Sequence, residues 1–219
     1  MEATNVSKPR EPWNKGKIVG KKAPFKPQEI WALRVKLELD QRVRDLALFN
    51  LGIDSKLRAC DLTGLRVRDI YQGGQVAKRA IVLQRKTKRP VQFEITAPAR
   101  DAVKVWIDRA KLETGDFLFP FKRDHSGHLT TRQYGRIVDR WAQTLGLDPA
   151  AYGTHSMRRT KATLIYRRTK NLRAVQLLLG HSKIESTVRY LGVEDDDAPE
   201  MAEQTGGYAL RTMAATVAG

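Results

Sequence analysis

The chain has 219 residues, of which 41% are hydrophobic, and a formal net charge of +16 from 40 Lys and Arg against 24 Asp and Glu. This hydrophobic content predicts a folded globular protein, and the excess of positive charge predicts a polyanionic partner, most often nucleic acid. One cysteine, Cys60, excludes an intramolecular disulfide and a multi-cysteine zinc site, and the sequence has no apolar stretch approaching the roughly 20 residues of a membrane span. We therefore expect a cytoplasmic protein, associated with the nucleoid and not with a membrane.

The first 26 residues carry seven Lys or Arg against two Glu and show no sustained periodicity. This composition predicts a basic flexible arm over residues 1–26. Such an arm either orders on a phosphate backbone or remains a solvated tail, and the sequence favours neither.

From Pro27 onward, apolar residues recur at helical spacing. The pattern predicts two packed helices, the second ended by Gly52, and a further short helix with Ser55 near its N-cap. Residues 79–96 alternate differently and predict two strands joined by the basic turn KTKR.

Helices are predicted again after these strands, in residues 97–113 and 128–147, with a short buried piece at 117–120 between them. Three more helices follow, separated by Lys170-Asn171 and by Gly180-His181. The predicted class is α+β: a mostly helical domain over residues 27–192 with one small antiparallel β-sheet. The tail, residues 193–219, begins with an acidic run. It either has no specific role or docks on another protomer.

His155 and Arg158 are three residues apart, so on one helix they share a face and converge on one anion. The alternative is a basic helix face in solvent. Arg159 points about a hundred degrees away by helical geometry and is expected to make a surface or backbone contact.

His181 and Tyr190 are nine residues apart, which would place them on opposite sides of one continuous helix. Gly180 permits a left-handed helix end and Ser182 can cap a new helix. The sequence therefore predicts His181 in a turn and Tyr190 on the next short helix.

Arginines, histidines and a tyrosine at one site suit attack on a phosphodiester. Guanidinium groups bind the non-bridging oxygens bidentately, and neighbouring cations activate a tyrosine as nucleophile. The sequence contains no P-loop and no carboxylate cluster suited to two-metal catalysis, so we expect no cofactor and no metal.

The segment HSMRR…LLLGHSKIESTVRY resembles the catalytic signature of the tyrosine recombinases, the phage integrase family. The matching parts are His155 with Arg158, Leu179-Gly180-His181, and Tyr190.

Two further parts of the family pattern precede this segment. SKLRACDLTGLRVRDI resembles the segment with the first family arginine and places it at Arg58, with Arg66 as second choice. Lys56 stands where the family usually has a small residue. Lys86, followed by Thr87, matches the lysine of a β-hairpin.

The resemblance implies a site-specific DNA recombinase or integrase that acts through a 3′-phosphotyrosine intermediate. Tyr190 would attack the phosphate, Lys86 would protonate the leaving oxygen, and His155 would be the acid/base partner of the tyrosine. The three groups that would bind the phosphate oxygens are Arg58, Arg158 and His181.

The partners implied are double-stranded DNA with specific recombination sites, a homotetramer assembled on it, and accessory DNA-bending proteins. The chain resembles short recombinases that are nearly all catalytic domain. Three alternatives remain open: a type IB topoisomerase-like activity, a non-catalytic DNA-binding regulator on the same scaffold, and a structural role in a basic ribonucleoprotein.

Overall fold

A computed structural model describes residues 22–121 and 127–191. Within these ranges the chain forms eight α-helices, one 3₁₀ turn (Val67–Asp69) and two small antiparallel sheets. The elements are α1 (Pro27–Leu39), α2 (Val43–Ser55), α3 (Ala59–Thr63), β1 (Tyr71–Gln72), β2 (Gln75–Val76), β3 (Arg79–Leu83), β4 (Pro90–Glu94), α4 (Ala97–Ala110), α5 (Thr131–Thr144), α6 (Thr154–Thr169), α7 (Leu172–Leu179) and α8 (Ile184–Leu191). The predicted α+β class is confirmed. None of the helices in these ranges has the length and hydropathy that a membrane crossing requires.

Helix α2 is the centre of the domain, and it packs against α1, α4 and α6. The prediction that Gly52 ends this helix is wrong, because α2 continues to Ser55 and Lys56 takes the left-handed conformation at its end. Gly52 serves packing instead: a Cβ atom placed there would lie 2.9 Å from the Tyr134 hydroxyl and 3.2 Å from Met157 Cε.

Gly52→Ala is expected to lower the free energy of unfolding. Overpacking costs about 1–3 kcal/mol, and the better helix propensity of alanine offsets at most about 1 kcal/mol of that cost. The control is Gly135→Ala in α5, where an added Cβ atom meets nothing within 4 Å. Urea denaturation should show Gly52→Ala destabilised and Gly135→Ala unchanged or stabilised; equal stabilisation of both would contradict the packing role.

The β3–β4 hairpin matches the two predicted strands, with Ala80 opposite Phe93 and Val82 opposite Val91. Ala80, Val91 and Phe93 face the core, whereas Ile81 and Leu83 are exposed. The β1–β2 hairpin was not predicted. Its turn residues Gly73 and Gly74 both have positive φ, and a Gly-Gly pair is a hairpin signal that the sequence does contain.

Residues 22–26 are the last five residues of the segment predicted as a flexible arm, and they pack on the domain. The Phe25 ring is 1% exposed and packs on Phe49 and Tyr152, while its backbone N–H donates to the Thr160 hydroxyl at 2.9 Å. Burial of an aromatic ring favours this position over solvent. The other arm residues, 1–21, and the tail 193–219 lie outside the described residues.

Candidate active site

The break between α7 and α8 places His181 beside Tyr190, as the spacing predicts. Gly180 has φ +67° and ends α7, which leaves His181 in the turn and Tyr190 near the end of α8. The two ring centroids are 5.4 Å apart, with the rings edge to face. The His181 Nδ1 atom lies 3.1 Å from the Thr187 hydroxyl, which fixes the ring in the turn.

Arg158 lies beneath this turn and is only 6% exposed. Its Nη2 donates to the Leu179 carbonyl at 2.7 Å, and its guanidinium carbon is 6.0 Å from the centroid of the Tyr190 ring. Within the described residues no carboxylate lies within salt-bridge distance of Arg158. Because a buried cation without a paired anion is costly, this arrangement favours an anionic ligand.

Arg58 reaches the same place from the residue before α3. Its guanidinium donates to the Gln84 side chain, and its charge acts on the pKa values of Arg158, His181 and Tyr190. Arg66, the second choice, instead donates to the Gly115 carbonyl and lies 4.2 Å from the centroid of the Phe117 ring. The structure therefore brings Arg58 to the cluster, and not Arg66.

His155 lies at the start of α6, one turn before Arg158. Partial desolvation of its ring, together with the charges of Arg158, Arg159 and Lys22, lowers its pKa. His155 is exposed, whereas Arg158 is buried.

Lys86 lies in the exposed turn of the β3–β4 hairpin, and in the described ranges it makes no hydrogen bond or ion pair. The turn itself is held to the site. The buried Gln84 side chain accepts from Arg58 and, at 2.7 Å, from Thr87, and the Arg85 N–H donates to Asp61 Oδ1 at 2.9 Å. The structure thus anchors the turn but does not bring Lys86 into contact with the other five predicted residues.

Burial, more than the nearby charges, decides the pKa values of His181 and Tyr190. Desolvation, with Arg158 and Arg58, lowers the pKa of His181 to about 4. Burial raises the pKa of Tyr190 to about 12, although Arg158, Arg159 and Arg58 each act to lower it. The Tyr190 hydroxyl is buried and has no hydrogen bond of regular geometry among the described residues. The site therefore combines a neutral phenol and imidazole with three guanidinium cations.

Arg159 is one of two residues of the cluster that the sequence reasoning missed. It was expected at the surface or on backbone; the backbone contact is present, but the side chain is buried and also reaches the Tyr190 ring. A helical wheel gives only the direction of Cβ, and the long arginine side chain curves away from that direction. Gln84 was missed as well, and strand alternation gives no signal for its contact with Arg58.

The sequence profile described as the phage integrase family matches residues 26–196, well over half of the chain. The chain belongs to the phage integrase family. Among relatives in this family, the probable integrase/recombinase YoeC of Bacillus subtilis (strain 168) is 29% identical over 169 residues, which cover 77% of this chain and 88% of YoeC. Tyrosine recombinase XerC of Corynebacterium efficiens (strain DSM 44549 / YS-314 / AJ 12310 / JCM 11189 / NBRC 100395) is 31% identical over 169 residues, covering 75% of this chain and 51% of XerC.

Solved structures share the fold of this phage integrase family member. The Tn1549 transposon integrase in complex with transposon right end DNA matches with a TM-score of 0.66 at 16% identity, covering 86% of this chain and 67% of that one. The chain spans about half the length of the XerC relative. The descriptions of these relatives, and the share of this chain that they match, agree with the resemblance drawn from the sequence motifs.

Proposed function

We propose that this protein is a site-specific DNA recombinase that cleaves and rejoins DNA through a 3′-phosphotyrosine intermediate. The observation that carries the proposal is the position of the partly buried Tyr190 beside His181 and two buried guanidinium groups, those of Arg158 and Arg159. A binding protein has no need of a nucleophile held in this way.

The reaction exchanges one phosphate ester for another. The Tyr190 oxygen attacks the scissile phosphorus and loses its proton to His155, the P–O5′ bond breaks, and Lys86 gives a proton to the leaving 5′ oxygen. The strand is left joined to Tyr190 through its 3′ phosphate, and the reverse steps rejoin it. Because the phosphotyrosyl ester conserves the energy of the broken bond, the reaction needs no nucleotide and no metal.

Charge on the non-bridging oxygens grows as the phosphate is attacked, and fixed cations stabilise that growth. Arg58 and Arg158 would bind these oxygens, with the neutral imidazole of His181 donating a further hydrogen bond. The pKa of Tyr190, about 12, means that the phenol is protonated in the free protein. A base and the surrounding cations are therefore required for attack.

DNA is the proposed partner, supported by the net charge of +16 and by the structural neighbour that was solved in complex with transposon right end DNA. Exchange between two duplex sites involves cleavage of four strands, which calls for four protomers, and we expect accessory proteins that bend the DNA. The part of the predicted arm before the packed residues 22–26 would add phosphate contacts, and residues 193–219 would dock on a neighbouring protomer.

A nicked suicide duplex made from DNA that flanks the gene tests this function. The protein should form an adduct that resists denaturation and should exchange strands between two copies of its site. Relaxation of supercoiled DNA that lacks the site would favour a topoisomerase-like activity instead. Tight DNA binding with no adduct would favour the non-catalytic regulator, and preferential RNA binding the ribonucleoprotein role.

The assignment of Lys86 as general acid makes a separate prediction. Lys86→Ala should slow cleavage of ordinary DNA by about 10²–10⁴-fold, the usual contribution of a general acid. A substrate with sulfur in place of the leaving 5′ oxygen should restore the rate, because a thiolate leaves without a proton. Lys88→Ala, in the same turn, is the control and should cleave both substrates normally; equal defects of Lys86→Ala on both substrates would exclude the role.

A further inference from the structure

The Arg159 side chain contacts both Tyr190, the proposed nucleophile, and Lys22, which lies just before α1. Its Nη1 donates to the Lys22 backbone carbonyl at 2.7 Å, and its guanidinium carbon lies 5.6 Å from the centroid of the Tyr190 ring. The side chain is 8% exposed, so both contacts are made in the interior. One side chain therefore spans from the segment before α1 to the last turn of α8.

The Lys22 carbonyl is a fixed acceptor because the peptide that carries it is held on both sides. The Ala23 N–H of the same peptide unit donates to the Ala151 carbonyl at 2.8 Å, and the Lys22 ammonium donates to the Ala150 carbonyl at 2.5 Å. Phe25, two residues after Ala23, is buried in the core. Arg159 thus has a rigid partner on one side.

On its other side Arg159 has the Tyr190 ring in place of a carboxylate. Among the described residues no acidic group lies within salt-bridge distance of Arg159, and its Nε atom is buried without a hydrogen-bond partner. A guanidinium over an aromatic face is attracted by the ring quadrupole, most strongly when both are desolvated. The charge of Arg159 also acts to lower the pKa of Tyr190. These contacts constrain the ring that carries the reacting oxygen.

We propose that Arg159 is a positioning residue for the Tyr190 nucleophile, and that the Lys22 carbonyl fixes Arg159 in turn. The proposal rests on the proposed function, since it assigns Tyr190 as the nucleophile. It assigns Arg159 no contact with the phosphate, unlike Arg58 and Arg158. Its effect is on the geometry of attack, where a displacement of about 1 Å can cost about a hundredfold in rate.

Single-turnover cleavage of the suicide duplex tests the proposal with three variants of the full chain. Arg159→Gln should slow adduct formation by about ten- to a hundredfold, with DNA affinity unchanged, and sulfur in place of the leaving oxygen should not restore the rate. Arg159→Lys should recover part of the rate because it keeps a cation near the ring. Arg168→Gln, an exposed arginine on the same helix, is the matched control and should cleave normally.

Ala23→Pro tests the second half of the proposal, because it removes the N–H that holds the Lys22 peptide in place. This variant should form the adduct more slowly as well. The double variant with Arg159→Gln should be hardly slower than Arg159→Gln alone, because both substitutions disrupt the same contacts from Lys22 through Arg159 to Tyr190. Thermal unfolding of each variant separates loss of fold from loss of rate. A wild-type rate for Arg159→Gln, or its rescue by the sulfur substrate, would overturn the proposal.

A second readout is independent of cleavage. With ring-labelled tyrosine, the chain gives six tyrosine signals in NMR spectra, and the signal of Tyr190 is the one lost in Tyr190→Phe. Arg159→Gln should shift or broaden that signal in the free protein, and Arg168→Gln should leave it in place. An unchanged Tyr190 signal in Arg159→Gln, with a normal adduct in the wild-type protein, would refute the positioning role alone. Absence of any adduct in the wild-type protein would refute the proposed function, and with it the role of Tyr190 as nucleophile.

Discussion

Replacing Tyr190 by phenylalanine is expected to abolish the covalent protein–DNA adduct while DNA binding remains close to that of the unchanged protein. The substitution removes one oxygen atom and keeps the ring that packs edge to face on His181. That oxygen has no hydrogen bond of regular geometry in the described part of the chain, so its loss should cost little stability. Affinity for DNA depends mainly on phosphate contacts made by Lys and Arg, which this change leaves in place.

A denaturing gel for the adduct and a mobility shift for binding measure the two effects in one experiment. Tyr152→Phe is the matched control, because its hydroxyl faces Glu29 at 3.4 Å, away from the cluster. This control should form the adduct at the normal rate. Adduct formation by Tyr190→Phe would show that another residue is the nucleophile.

Arg58→Ala is expected to lower the cleavage rate by about 10²–10³-fold, the usual cost of removing one preorganised donor from a developing charge. The fold should survive, because Arg58 is half-buried and its observed partner is the Gln84 side chain. Arg66→Ala is the matched control, since Arg66 donates to the Gly115 carbonyl and lies over Phe117, away from the cluster.

Single-turnover rates with saturating protein measure this loss separately from any loss of affinity. A normal rate for Arg58→Ala together with a slow rate for Arg66→Ala would move the role to Arg66.

Arg158→Ala should cleave as slowly as Arg58→Ala, but its loss of rate is harder to interpret, because Arg158 also donates a hydrogen bond to the Leu179 carbonyl at the end of α7. Its thermal stability should fall as well.

Much of the site follows from the sequence because its geometry is local. The spacing of His181 and Tyr190, with Gly180 before them, is compatible with one site only if the helix breaks, and the structure contains that break. The hairpin that carries Lys86 follows equally from alternation and a basic turn. In each case neighbours in the sequence decide the conformation.

Contacts between distant segments could not be predicted in this way. Gly52 is ambiguous in sequence, because a glycine either ends a helix or permits close packing, and only the position of Tyr134 decides between the two. Phe25 lies in a stretch whose charge and composition indicate an arm, yet its ring is buried between Phe49 and Tyr152. The contacts of Arg159 depend on segments more than a hundred residues apart along the chain.

The electrostatics of the free site agree with a phosphate ligand. Arg158 is buried without a carboxylate at salt-bridge distance in the described residues, and its pKa is lowered chiefly by that burial. A phosphate at this position would supply the missing counter-charge and would raise the pKa of His181 from its value of about 4. Binding of the proposed substrate thus relieves the least favourable charges of the site.

Mapping the adduct tests the central claim most directly. Trypsin cleavage after Arg189 gives a peptide that starts at Tyr190, runs to Arg211 and also contains Tyr208, so fragmentation of the nucleotide-linked peptide has to separate the two tyrosines. We predict a nucleotide attached through its 3′ phosphate to Tyr190, and a free 5′-hydroxyl on the released strand. Attachment at Tyr208 or at any other residue, or through a 5′ phosphate, would contradict this account.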